Sequence, residues 1–436
     1  MAALFRGVMM WLLRLYYRAI AVNQRERIPA QGPCLVVANH PNGLMDPLVL
    51  RLALNRPVAF LGKSTLFANP AGKFAMESFN GIPVFRVKDG GDTSKNELTF
   101  DLCRALLARK GWLAMFPEGV SHNDPQLKPL KTGAARIALT AEAAADWKLG
   151  LNILPVGLLF DEKETFRSGV AASVGAPFSV VEFRQAYEQD NWAAVEALTT
   201  RLGEALAAVT LQASNDELWN GFVAVAAWTD AAAVRDMGRR EARARELAAA
   251  YQALVVSNPE QAGVLLETAR RFVRTLQTLG VDNPWALEET RAPTLGRLAL
   301  ALFPVLTLWP LALVGAVLGW IPYRLVKPLA VRMSGGELDV VSTIKLLLGA
   351  TIMTVSYLAE AAAAGVFLGW PTGVALAVLA PLSGFVALRY DERLSLRRQL
   401  VRVAWFRATR PRIVAGVNEA RRAFCAKVEE VLRAVR

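Results

Sequence analysis

Only two histidines occur in the 436 residues, and one of them, His40, stands six positions before Asp46 in the stretch Ala38-Asn39-His40-Pro41-Asn42-Gly43-Leu44-Met45-Asp46-Pro47. A carboxylate bonded to one imidazole nitrogen fixes the tautomer and makes the other nitrogen a better base. The pair is therefore a candidate for taking a proton from a hydroxyl, although a lone His beside an Asp is also an ordinary turn or capping pair. The second histidine, His122, ends Phe116-Pro117-Glu118-Gly119-Val120-Ser121-His122. Here Glu118 could accept from a substrate hydroxyl while exposed backbone N–H groups take an oxyanion. Arg86 closes Gly81-Ile82-Pro83-Val84-Phe85, and a guanidinium at a strand end can fork onto a phosphate. Lys128 and Lys131 precede an expected helix start, a setting suited to an anion. Singly, each is more simply a turn, an edge charge or a helix flank.

Their positions set them apart. Short apolar runs at 34–37, 58–61, 82–85, 112–116, 153–159 and 171–174 read as strands, and helical patterns fall between them at 47–53, 71–78, 95–110 and 132–145. That alternation predicts an α/β domain. Both histidines, Arg86 and Glu118 then fall at strand ends of one small sheet, where open α/β sheets place their ligands.

The order of "NHPNGLMDP", "GIPVFR", "FPEG" and "LPVG" resembles the four motifs of the glycerolipid acyltransferase family, which includes glycerol-phosphate and lysophosphatidic acid acyltransferases. The resemblance covers about residues 25 to 180. It implies that His40 and Asp46 form the base pair and that Arg86, Glu118 and Gly119 hold a glycerol-phosphate acceptor. Most of the family puts four residues between His and Asp; this chain has five, from Pro41 to Met45. With "FPEGVSHNDPQLKPLKTGAA" and "FRSGV", the longer spacing looks like the fungal-type glycerol-3-phosphate/dihydroxyacetone-phosphate acyltransferase branch. Arg167 of that last stretch joins Lys128 and Lys131 in the expected substrate-binding set.

Composition bounds the rest. Hydrophobic residues make up 53% of the chain and the formal charge is +12. Thirteen Lys/Arg against five Asp/Glu lie from Arg389 to Arg436, so +8 of the charge follows the last apolar run, as in a juxtamembrane segment. No nucleic-acid motif accompanies it, and no nucleic-acid partner is expected. Cys34, Cys103 and Cys425 have no metal spacing and read as small buried hydrophobes. Residues 1–24 are expected to form an amphipathic interfacial helix, with Phe5, Val8, Leu12 and Tyr16 opposite Arg6, Arg14 and Arg18. The acyltransferase α/β domain is placed at 25–180, a helical region at 181–292 and membrane segments at 293–390. Within the last, 298–323 is expected to be re-entrant, bent at Pro304 and Pro310, or spanning, and 343–389 to be a hairpin turning near Pro371. Basic flanks favour an even number of crossings. Residues 391–436 are a basic amphipathic tail.

The expected fold is thus an α/β acyltransferase domain with a helical insert and C-terminal transmembrane helices. The expected reaction is O-acyl transfer from an acyl thioester donor, acyl-CoA or acyl carrier protein, to glycerol-3-phosphate or dihydroxyacetone phosphate in phospholipid biosynthesis. No metal or cofactor beyond the thioester co-substrate is implied, nor a covalent acyl-enzyme, since no Gly-x-Ser-x-Gly elbow occurs. Membrane lipids are the other expected partner, in a cytoplasmic or inner membrane with the catalytic domain facing the cytoplasm. A lysophosphatidic acid acyltransferase is the rival within the class, and a non-catalytic lipid-binding scaffold the rival outside it. Hydrolysis by water is disfavoured by the positive acceptor site.

Overall fold

The structure, a computed structural model, describes residues 1–86, 93–281, 284–288 and 295–435. They divide into two compact units: an α/β unit of Met1–Ala226, Arg235–Ala248 and Leu338–Thr343, and a second unit of Ala227–Val234, Ala249–Glu337 and Ile344–Arg436.

In the α/β unit, runs without polar alternation become strands covered on both faces. Helix α1 (Ala2–Tyr16) leads into β1 (Ala19–Asn23), then β2 (Cys34–Ala38), α2 (Met45–Leu54), β3 (Ala59–Lys63), α3 (Pro70–Ser78), β4 (Gly81–Val84), α4 (Asn96–Ala108), β5 (Trp112–Met115), α5 (Gly133–Ala143), β6 (Asn152–Phe160), β7 (Gly169–Val174) and β8 (Phe178–Ser179). The sheet order is β1-β7-β6-β2-β5-β3-β4, with β8 beside β6. Strands β6, β2, β5, β3 and β4 run parallel, and β7 is antiparallel to β6. Strand β2, buried throughout, is the fourth of the seven strands along this path. His40 therefore leaves the middle of the sheet at its carboxyl edge.

The helical region at 181–292 is not one insert. After α6 (Arg184–Gln189), α7 (Asn191–Ala207) packs into the core beside α5, with Leu198, Leu202 and Leu206 fully buried. Each such leucine contributes about 1.5–3 kcal/mol. Helix α8 (Asp216–Thr229) follows, and α9 (Met237–Ser257) supplies a carboxylate clamp. Buried Glu241 accepts from Asn23 Nδ2 at 2.9 Å and from Ser173 Oγ, two residues already paired between β1 and β7.

The N-terminal segment also departs from expectation. The helix stops at Tyr16, and 19–23 is an edge strand parallel to β7. The buried face is Met9, Leu13 and Tyr16, while Leu4, Val8 and Trp11 are exposed. Arg6 donates to the Ser78 carbonyl at 3.1 Å, so one of the three arginines turns inward rather than marking a polar face.

The second unit holds α10 (Pro259–Leu279), α11 (Leu295–Met333), most of α12 (Leu338–Leu368), α13 (Trp370–Thr409) and α14 (Pro411–Val435). Three stretches, Thr307–Met333, Val340–Leu368 and Trp370–Leu394, are helices long and apolar enough to cross a membrane. Helix α11 runs through Pro304 and Pro310 without interruption. Arg402 donates to the Gly280 carbonyl at 2.6 Å, and Arg421, stacked 3.8 Å over Trp285, pairs with Glu288. These contacts fasten the chain before α11 to α13 and α14.

Candidate active site

The site forms where β2 ends. Asn42-Gly43 makes the turn, with Gly43 at φ +49°, a left-handed value that glycine adopts without strain. The turn absorbs the fifth intervening residue and starts α2 so that Asp46 lies in its first turn. Asp46 is fully buried, and its Oδ2 accepts from His40 Nδ1 at 2.8 Å and from the Asn42 backbone N–H at 2.8 Å. Burial pushes the Asp46 carboxyl above its ordinary range, against the opposing pull of His40, the Asn42 N–H and Lys163. An ionised carboxylate only accepts, so Nδ1 carries the proton and Nε2 is the basic nitrogen.

Neighbouring strands hold the ring. Phe116, just past β5, stacks on it with centroids 4.1 Å apart and planes 12° apart. On the other side, Asn39 exchanges two hydrogen bonds with the backbone of Leu158 in β6, at 2.9 and 2.7 Å. Asn42 also donates to the Tyr17 hydroxyl at 3.2 Å, and Tyr17, raised well above its ordinary pKa by burial, remains a neutral phenol.

Glu118 has a different setting from the one its motif implies. Its side chain is buried, Oε1 accepts from the His40 backbone N–H at 3.2 Å, and Oε2 accepts from the Lys128 N–H at 2.8 Å and contacts His122 Nε2. His122 N–H in turn donates to the His40 carbonyl at 3.1 Å. The carboxylate thus joins the loop that carries the base to the loop at 122–128, and its oxygens are engaged by protein donors.

The other expected residues are less concentrated. Gly119 has φ +72°, and a Cβ there would lie 2.6 Å from Lys131 Nζ, so the exposed lysine lies across the glycine. Lys128 pairs with Asp124 at 3.0 Å. Arg86 is half-buried just past β4, whose end is fixed by Asn96 bonding the Phe85 N–H and carbonyl at 3.0 and 2.8 Å. Strand β4 is three places from β2, or about 14 Å across the sheet at about 4.8 Å per strand. Arg167 bonds the end of α1. At φ +68° its N–H donates to the Tyr16 carbonyl at 2.7 Å and its guanidinium to the Leu15 carbonyl at 3.1 Å.

A cleft of about 300 Å³ opens beside the dyad. His40, Glu118 and His122 line it with Leu158, Lys163 and Trp219 among others. Sequence reasoning missed Lys163 and Trp219, and gave His122 only a minor part. The signal for His122 was there, in its place beside Pro-Glu-Gly; nothing local marks the other two.

Residues 19–159 match the family described as Acyltransferase. An uncharacterised acyltransferase of Schizosaccharomyces pombe is 25% identical over 300 residues, 48% of this chain and 44% of the relative. Glycerol-3-phosphate O-acyltransferase 2 of Saccharomyces cerevisiae is 34% identical over 116 residues, 26% of this chain and 16% of the relative. A 1-acyl-sn-glycerol-3-phosphate acyltransferase of Chlamydomonas reinhardtii is 26% identical over 144 residues, 33% of this chain and 39% of the relative. The chain spans less than half the length of these curated relatives.

Proposed function

We propose, for a chain whose residues 19–159 are an Acyltransferase-family domain, that it moves a fatty acyl group from a thioester to the hydroxyl of a phosphorylated glycerol or triose. The observation that carries this reading is the 2.8 Å His40–Asp46 contact at the mouth of a cleft. His40 Nε2 takes the hydroxyl proton as the oxygen attacks the thioester carbonyl, and Asp46 stabilises the imidazolium. The tetrahedral intermediate then expels the thiolate, which recovers the proton from His40. Because the thioester is already activated, no acyl-enzyme is needed. Arg86, Lys128 and Lys131 are the acceptor-side cations of this reading, and Glu118 and Gly119 shape the acceptor side by holding the loops that carry them. Its thioester donor, acyl-CoA or acyl carrier protein, is cytosolic, so the catalytic unit faces the cytoplasm.

Glycerol-3-phosphate or dihydroxyacetone phosphate is the preferred acceptor, supported by the similarity to the Saccharomyces cerevisiae protein. The Chlamydomonas reinhardtii relative favours lysophosphatidate as the second reading. The test is transfer from palmitoyl-CoA by membranes containing the full chain, with each of the three acceptors in turn. His40→Ala should abolish transfer while the protein remains folded and membrane-inserted. Substantial activity in folded His40→Ala would end this mechanism.

A further inference from the structure

The cleft beside the dyad has the wrong charge for a phosphate. Four carboxyl side chains, those of Glu118, Asp124, Asp161 and Asp216, line it against one lysine, Lys163. Lys163 is built into the wall. Its ammonium donates to the Pro41 carbonyl at 3.3 Å and to Asn123 Oδ1, its carbonyl accepts from the Ser342 hydroxyl, and its charge acts on both Asp46 and Asp124. Lys128 and Arg240 offset Asp124 and Asp161 at 3.0 and 3.1 Å, and Glu118 meets His122. With those partners counted, and Asp216 set against Lys163, the cleft has no excess of positive charge to attract a dianion. Arg86 and Lys131 are not among its described lining residues.

The remaining lining suits a neutral, amide-bearing ligand. Trp219 and Asn220 come from the first turns of α8 and Gln126 from the facing loop, beside the apolar side chains of Leu158 and Leu211. Asn220 and Gln126 are exposed and Trp219 is half-buried, and among the described residues none of the three side chains donates to a protein acceptor. The two walls are tied together. Gln212 Oε1 accepts from the Leu127 N–H at 3.0 Å, and the Ala213 N–H donates to the Pro125 carbonyl at 3.0 Å. The cleft is therefore formed before any ligand enters it.

The two candidate thioester donors share one uncharged part. Between the thioester sulfur and the nearest phosphate, acyl-CoA and acyl carrier protein both carry a pantetheine arm of amides, a hydroxyl and a geminal pair of methyls. Its sulfur end has to lie beside His40, where the acceptor hydroxyl attacks the thioester carbonyl. At about 300 Å³ the cleft is at the small end of small-ligand sites, which run to roughly 1,000 Å³. That suits a slender arm rather than a nucleotide or a fatty chain. We propose that this cleft binds the pantetheine arm of the donor, with the Trp219 indole packed on it and Gln126 and Asn220 bonding its amides. An indole suits the task because it offers an apolar face and one N–H donor. Trp219 and Asn220 lie beyond the matched residues 19–159, so the chain after the family domain supplies this wall. The inference rests on the acyl-transfer reading above and leaves the acceptor phosphate to the side of Arg86 and Lys131.

The donors for the test are palmitoyl-CoA, palmitoyl-acyl carrier protein, palmitoyl-pantetheine and S-palmitoyl-N-acetylcysteamine, which keeps the thioester and only one amide of the arm. Wild-type rates with the first two, in membranes containing the full chain, identify which source supplies the arm. The wild type should use palmitoyl-pantetheine about ten- to a hundredfold better in kcat/KM than the truncated thioester. Trp219→Ala should raise the KM for palmitoyl-pantetheine and for the better natural donor by the same factor, about five- to fiftyfold. The glycerol-3-phosphate KM and the KM for the truncated thioester should stay within about twofold. Trp219→Phe, which keeps an apolar face without the N–H, should have a smaller effect. Equal wild-type use of palmitoyl-pantetheine and the truncated thioester overturns the proposal. So does a loss confined to the natural donor, which would put Trp219 against its nucleotide or carrier protein. An equal rise in donor and acceptor KM also overturns it, because the acceptor would then occupy the cleft. If Trp219→Ala does not fold, Trp219→Phe and the exposed Asn220→Ala decide by the same comparisons, each with an expected rise in donor KM of about two- to tenfold. A wild-type protein that transfers from no thioester is a separate result, which removes the acyl-transfer reading itself.

Discussion

Asp46→Asn separates charge from shape at the dyad. Asp46 Oδ2 accepts from both His40 Nδ1 and the Asn42 N–H, while buried Oδ1 has no hydrogen-bond partner. An asparagine with its carbonyl at the Oδ2 position keeps both bonds, the tautomer and the ring orientation. It loses the negative charge that faces the imidazolium once the hydroxyl proton is taken. At about 4 Å between charge centres and an effective dielectric constant of about 20, that attraction is about 4 kcal/mol, or about three powers of ten in rate. The loss should fall on kcat, with both KM values little changed, because the charge acts only after the proton moves. Stability should respond with the opposite sign. Burial raises the folded-state pKa of Asp46 above its unfolded value. Such a carboxyl adds stability below its unfolded pKa, and that contribution is lost as pH rises through the folded pKa. As pH rises through the folded-state pKa the wild type loses it, whereas asparagine does not titrate. Initial rates of palmitoyl transfer, paired with limited proteolysis of the same membranes, measure both effects. Activity within about tenfold of wild type, or inactivation accompanied by faster proteolysis, would refute the assignment of the loss to charge.

Two further substitutions probe the support around the dyad. Glu118→Gln offers one acceptor oxygen where the backbone N–H groups of His40 and Lys128 and the His122 ring meet a carboxylate. Each unsatisfied buried donor costs about 1–3 kcal/mol, so cleavage in the loop at 119–128 should accelerate along with loss of transfer; an intact loop in an inactive enzyme would point to direct substrate contact instead. Gly119→Ala forces a left-handed φ of +72° on alanine and drives a methyl into Lys131. Thermal stability should fall by about 1 kcal/mol or more and the acceptor KM should rise about severalfold, whereas an unchanged acceptor KM would remove Lys131 from the acceptor site.

The dyad was legible because its chemistry is local: six residues separate ring and carboxylate, and a strand and a turn are enough to join them. The parallel sheet was legible because its strands are apolar without alternation. Strand β1 was not, since Ala19–Asn23 is short and continues the apolar pattern of α1, and only its pairing with β7 marks its end as a helix. The helical region at 181–292 hid its division for a similar reason. The apolar spacing of α7 resembles that of α10, and nothing in spacing says that one meets the sheet and the other meets α14. Lys163 and Ser342 were illegible for want of any local sign; they meet across 179 residues of sequence. Arg167, a polar residue of a recognised stretch, also bonds the end of α1, a contact its own stretch does not announce.

The catalytic unit is discontinuous in sequence, and this sets an order in time. All eight strands have left the ribosome soon after Ser179, but the unit closes only when Leu338–Thr343 arrives. From Ala248, the preceding residue of the unit, to that segment lie roughly 90 residues, about 4 to 18 s of synthesis at about 5–20 residues per second. During that interval the Lys163 carbonyl lacks the Ser342 hydroxyl that bonds it, and α11 is made in full. The unit thus acquires its last segment after the first membrane-length helix has emerged, so synthesis itself defers a finished unit until the chain has the means to reach a bilayer.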